Sequence, residues 1–179
     1  TVVGVTSNPT IFAGSLAGSD SYREDIRTMA VDGLSAEEAA FAIMVADVQG
    51  ACDVLQATYD ATGGIDGRVS LEVAPTLGHD TDATVAQAIA VSKKVDRPNL
   101  MVKSPATLAG MPAITQVLGQ GISVNVTLIF SLERYRAVID AYLKGIAAAV
   151  DNGHDISTIH SVASFFVSRV DAAIDPQLE

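Results

Sequence analysis

Ile122-Ser123-Val124-Asn125-Val126-Thr127-Leu128 alternates apolar and polar residues without a break up to Thr127, the period-two pattern of a β-strand. Side chains of a strand point alternately to its two faces. Ile122, Val124 and Val126 therefore share one face, and Ser123, Asn125 and Thr127 the other. Three more segments read the same way. Val69, Leu71 and Val73 oppose Ser70, Glu72 and Ala74, while Leu100, Val102 and Ser104 oppose Met101, Lys103 and Pro105. Near the start of the chain, Val3 and Val5 oppose Thr6 and Asn8.

Between these strands the apolar spacing lengthens to that of helices. The sequence predicts strands over about 2–8, 69–74, 99–106, 122–128 and 159–165, with helices over 82–95, 111–118 and 131–150 between the later ones. A mainly helical insertion fills about 14–68. In it Ser35-Ala36-Glu37-Glu38 forms a capping box, Phe41 to Tyr59 carries a helical apolar stripe, and Gly63-Gly64 stops the helix. Strand–helix alternation without tight hairpins predicts a parallel sheet with right-handed crossovers. Both faces of such a sheet are covered, so a polar face has to point somewhere other than bulk water. A closed barrel provides that place, and the expected fold class is α/β, a (β/α)8 TIM barrel. Asn8, Glu72, Lys103, Asn125 and Thr127 are then expected inside the barrel. An open doubly wound sheet is the alternative, and it predicts near-continuous apolar strands instead.

Composition narrows the function classes. The chain has 179 residues, 49% of them apolar, with 21 acidic against 11 basic side chains and a formal net charge of −10. That balance argues against a nucleic-acid partner and against an anionic membrane surface, both of which call for clustered Lys and Arg. A single cysteine, Cys52, forms no internal disulfide, in keeping with a reducing, cytoplasmic location. No apolar run reaches the ~20 residues of a bilayer span. His79, His154 and His160 lack metal-ligand spacing, and no phosphate-loop or dinucleotide glycine motif is present, so neither a metal nor a cofactor is expected. The sequence permits a homo-oligomer without specifying one.

A lysine inside a barrel is rarely there without a partner or a task. Desolvation favours the neutral amine, which adds to a ketone and gives a Schiff base after loss of water. The protonated imine withdraws electrons and lets the adjacent carbon–carbon bond break. Proton transfers in this scheme need a carboxyl group, and Glu72 is the inward carboxylate that the pattern supplies. Asn8 and Asn125 offer amides to substrate hydroxyls, and Thr127 a hydroxyl to a water. A purely structural ion pair between Lys103 and Glu72 fits the same pattern.

Four segments together resemble one family. Gly4-Val5-Thr6-Ser7-Asn8-Pro9-Thr10-Ile11-Phe12 is similar to the N-terminal signature of the transaldolases, and Asn99 to Thr107 to their Schiff-base lysine segment. Ser123 to Ser131 and Ala163 to Arg169 are similar to the two strands that follow in that family. The resemblance implies transfer of a dihydroxyacetone unit between sugar phosphates of the pentose phosphate pathway. It implies catalytic roles for Lys103 as the imine-forming lysine, Glu72 as acid/base, and Thr127 beside the catalytic water. It further implies substrate contacts from Asn8, Asn125 and Ser164, and a phosphate contact from Arg169. Two departures are visible: Ser104 stands where the family commonly has an aliphatic residue, and the family's acid/base aspartate lies on a strand ahead of residue 1. The expectation is thus one barrel domain over 1–179, an incomplete segment lacking the first strand and the last strands of the barrel. About 60 residues separate Asn8 from Val69, which resembles the longer bacterial transaldolases rather than the short aldolases that cleave fructose 6-phosphate. Another lysine aldolase, or a sugar-phosphate-binding barrel without turnover, remains as an alternative.

Overall fold

The computed structural model describes residues 2–178. Among these residues five strands and seven α-helices follow one another as β1 (Gly4–Thr6), α1 (Pro9–Gly18), α2 (Arg23–Val31), α3 (Ala36–Ala61), β2 (Arg68–Glu72), α4 (Thr81–Val95), β3 (Leu100–Pro105), α5 (Gly110–Gly119), β4 (Val124–Ile129), α6 (Leu132–Asp151), β5 (Ser161–Phe165) and α7 (Val167–Ile174). The strands run in sequence order, β1-β2-β3-β4-β5. The fold class is α/β with consecutive parallel strands, as expected of a segment of a (β/α)8 barrel. Among the described residues no helix is long and apolar enough to cross a membrane.

The chain divides into two compact units. The first comprises residues 1–72 and 90–100. Here β1 pairs in parallel with β2, Val5 opposite Val69. Ser7, just past β1, ties it down twice, its amide and its hydroxyl both donating to the Ser70 carbonyl at 3.1 and 2.7 Å. The long helix α3 begins at the expected capping box: Ser35 Oγ accepts from the Glu38 amide, and the Glu38 carboxylate accepts from the Ser35 amide. Donation to that carboxylate from the Ser35 amide, joined by the Ser35 hydroxyl, holds the Glu38 carboxyl below the usual carboxylate range. Gly63 and Gly64, both at positive φ, turn the chain out of α3.

The buried stripe of α3 includes Ile43, Val48, Cys52 and Leu55. Cys52 is fully enclosed, and burial pushes its thiol up to about 11. Asn99 fastens the strand entry from below, its amide nitrogen donating to the carbonyls of Cys52 and Gly67 at 2.9 and 2.8 Å.

The second unit comprises residues 73–89 and 101–179. It holds β3, β4 and β5 in parallel register, with α5 and α6 packed together so closely that a Cβ on Gly145 would lie 2.6 Å from Leu118 Cβ. Thr115 Oγ1 adds a bond to the Ala141 carbonyl, and Asn152 one to Gly119. Ala113, Ile114, Val117, Leu118, Val124, Val126 and Ile129 form the dry interior of this unit.

Strand boundaries differ from the sequence expectation mainly at β1, which ends at Thr6 instead of reaching Asn8. The cause is Asn8-Pro9. Proline cannot donate to a ladder but fits the first turn of a helix, and the asparagine before it caps that turn. Asn8 Oδ1 accepts the Ile11 amide at 2.8 Å, so Asn8 closes α1 and is not a strand residue.

Gly67 sits at φ +74 against α3, where an added Cβ would approach Tyr59 N at 2.4 Å and Leu55 O at 2.7 Å. Gly67→Ala is expected to cost at least about 3 kcal/mol in urea denaturation, since backbone strain and overlap with helix backbone act together. A loss under about 1 kcal/mol would show that α3 yields at this point.

Candidate active site

In the second unit, Lys103 stands in the middle of β3 and is directly opposite Asn125 of β4, with Pro105 opposite Thr127. The ladder that sets this register includes the Val102 amide bonded to the Ser123 carbonyl at 2.9 Å and the Ala106 amide bonded to the Thr127 carbonyl at 2.8 Å. Directly opposed residues of neighbouring strands point to the same face. Lys103 and Asn125 are therefore neighbours by construction. Lys103 is 7% exposed, Asn125 6% and Thr127 0%. The polar face anticipated from the alternation is thus buried along with the apolar one.

Ser164 of β5 joins them: its hydroxyl lies 3.1 Å from Asn125 Oδ1 and donates to it. That bond turns the carboxamide oxygen toward β5. Thr127 Oγ1 is enclosed and has no hydrogen-bond partner among the described residues. A buried hydroxyl in that condition costs stability unless a water or a ligand completes it. Ser104 Oγ is in the same condition on the opposite face of β3, at the position where the family commonly has an aliphatic residue. Arg169 lies in the first turn of α7, exposed, its guanidinium over the Phe166 ring at 5.7 Å.

Two of the expected site residues belong to the first unit. Glu72 closes β2 and is half-buried. Asn8 is half-buried too, with its carboxamide oxygen engaged in the cap of α1. Val73 belongs to the second unit, where its amide donates to the Lys103 carbonyl at 3.0 Å.

The strand pattern did not anticipate the irregularity in β4. Register with β5 slips between Val126 and Ile129, and Leu128 adopts φ +62. One trace of it stands in the sequence: alternation stops after Thr127, and Leu128-Ile129-Phe130 are apolar in succession. His79, in contrast, is the exposed loop histidine that the sequence suggests.

The buried lysine, the amide beside it and an unsatisfied hydroxyl two residues on form one polar cluster on the parallel strands of an α/β fold. The family model described as transaldolase/fructose-6-phosphate aldolase matches residues 1–179, and the chain belongs to that family. It is 62% identical over 177 residues to a transaldolase of Thermobifida fusca, covering 99% of this chain and 48% of that protein. Transaldolases of Frankia alni and Mycolicibacterium smegmatis are 59% and 55% identical over 178 residues, again with 99% of this chain and 48% of each relative covered. The chain spans about half the length of the curated relatives it matches.

Thr127→Val keeps the shape of the side chain and removes the unsatisfied hydroxyl. It is expected to raise the stability of the folded chain by about 1 kcal/mol. Unchanged or lower stability in urea denaturation would show that the hydroxyl is completed in solution.

Proposed function

We propose that the protein carrying this chain is a transaldolase, a transferase that moves a dihydroxyacetone unit from a ketose phosphate to an aldose phosphate through a Schiff base on Lys103. Sedoheptulose 7-phosphate or fructose 6-phosphate is the donor class, and erythrose 4-phosphate or glyceraldehyde 3-phosphate the acceptor class. The observation that carries this reading is the buried Lys103 in register with Asn125, in a chain matched along its whole length by the family model.

The lone pair of Nζ adds to the ketose carbonyl carbon, and the resulting carbinolamine loses water to give the protonated imine. Removal of the proton from the hydroxyl on the far carbon of the bond to be broken then releases that carbon as an aldehyde. The electrons of the broken bond stay on the imine as an enamine. Attack of that enamine on the acceptor aldehyde and hydrolysis of the new imine complete the transfer. Glu72 is the group assigned to these proton movements, and Thr127, with its unpartnered hydroxyl, the one assigned to the water. Asn8, Asn125 and Ser164 are assigned to substrate hydroxyls. Arg169 is assigned to the substrate phosphate, which suits a guanidinium through its paired donors. The long helical stretch between β1 and β2, and the transaldolase names of the relatives, favour transfer over simple aldol cleavage. A cytoplasmic site of action fits the acidic composition and the enclosed single thiol.

Incubation with fructose 6-phosphate and borohydride is expected to leave a reduced adduct on Lys103, found by peptide mass spectrometry, and Lys103→Ala to abolish it with the fold intact. An adduct that forms undiminished in Lys103→Ala overturns the assignment. Glu72→Gln is expected to lower kcat by roughly two to four orders of magnitude, the scale of a positioned proton transfer. Wild-type turnover in that variant removes Glu72 from the mechanism.

A further inference from the structure

The slip in β4 has a direction that can be followed bond by bond. Along a parallel strand, successive residues turn their carbonyls alternately to the two neighbouring strands. The carbonyls of Ser123 and Thr127 both face β3, accepting from Val102 and Ala106. Continued alternation would turn the Ile129 carbonyl the same way. It faces β5 instead and accepts the Phe166 amide at 2.9 Å.

Side-chain burial reverses at the same point. Leu128, which alternation would place with the fully buried Val124 and Val126, is 41% exposed, and Ile129 is enclosed in its stead. With Val126 opposite Ala163 and Ile129 opposite Phe165, Thr127 and Leu128 together stand opposite the single residue Ser164. This is a β-bulge, uncommon between parallel strands. Leu128 absorbs it with a left-handed backbone that a residue bearing a Cβ adopts only under strain.

Such strain persists only where the surroundings fix it, and here Thr127 is held to β3 on one side and Ile129 to β5 on the other. We infer that Leu128 is a positioning residue: its left-handed conformation ends the pairing of β4 with β3 at Thr127 and thereby fixes the direction of the Thr127 hydroxyl in the site. The inference rests on the role proposed above for Thr127. It concerns the backbone of Leu128, and its exposed side chain is incidental.

Substitution at residue 128, in the protein at its full length, separates backbone from side chain. Leu128→Gly and Leu128→Asn accept the left-handed region and are expected to retain kcat within about threefold. Leu128→Val, whose branched Cβ disfavours that region, is expected to lower kcat about tenfold or more with KM within about twofold, the scale of a small misplacement of a reacting group. In a Thr127→Ala background the valine substitution should cost little further, since the group it misdirects is gone. Wild-type kcat in Leu128→Val, an undiminished effect in the Thr127→Ala background, or equal losses in the glycine and asparagine variants would each overturn the inference. Should Leu128→Val fail to fold, the other two variants decide. Both are expected to unfold at higher urea than the parent with kcat retained, and a tenfold loss in either overturns the inference. Borohydride trapping on the unsubstituted protein keeps the two readings apart. Absence of a Lys103 adduct there overturns both, whereas an adduct together with wild-type kcat in Leu128→Val overturns this one alone.

Discussion

The register of β3 against β4 is the constraint on which the site depends. Two bonds of that ladder, from the Val102 amide to Ser123 and from the Ala106 amide to Thr127, bracket the lysine. Between them Lys103 has no choice of neighbour but Asn125. A slip by one residue would send Lys103 to the face now occupied by Val102 and Ser104. The placement of Lys103 beside Asn125 is therefore specified by main-chain hydrogen bonds, which depend on side-chain identity only through the alternation that buries the apolar face.

Polar atoms enclosed by that arrangement are not all satisfied. Among the described residues Thr127 Oγ1 and Ser104 Oγ lack partners, on opposite faces of the sheet, and Leu128 holds a backbone angle that costs energy. Costs of this kind gather where a surface is shaped for something other than stability. On the face of Lys103 the unsatisfied hydroxyl lies two residues beyond Asn125 and one residue before the strained one. Ser104 faces away from that cluster, and nothing in the structure explains its hydroxyl.

Much of this was legible in the chain. Period-two alternation in Ile122 to Thr127 and Leu100 to Pro105 yielded the two strands and the shared face of Lys103, Asn125 and Thr127. Ser35 with Glu38 marked the start of the long helix, and Gly63-Gly64 its end. What escaped was local geometry that competes with the alternation. Asn8-Pro9 reads as the tail of a strand by polarity but acts as a helix cap, because proline is excluded from the ladder and welcome in a first helical turn. Leu128 reads as one more outward apolar residue, because no side-chain pattern encodes a positive φ in a leucine. The bond from Ser164 to Asn125 joins residues 39 apart, a distance over which only the completed register brings them together.

The enclosed thiol of Cys52 has a practical corollary. At 0% exposure and a pKa of about 11, it offers almost no thiolate to solvent at neutral pH. Within this chain, a second cysteine engineered onto an exposed helix would then be the sole reactive sulfur. Fluorophores or spin labels could be attached there by maleimide chemistry without first deleting the native residue, and so without opening a void beneath α3.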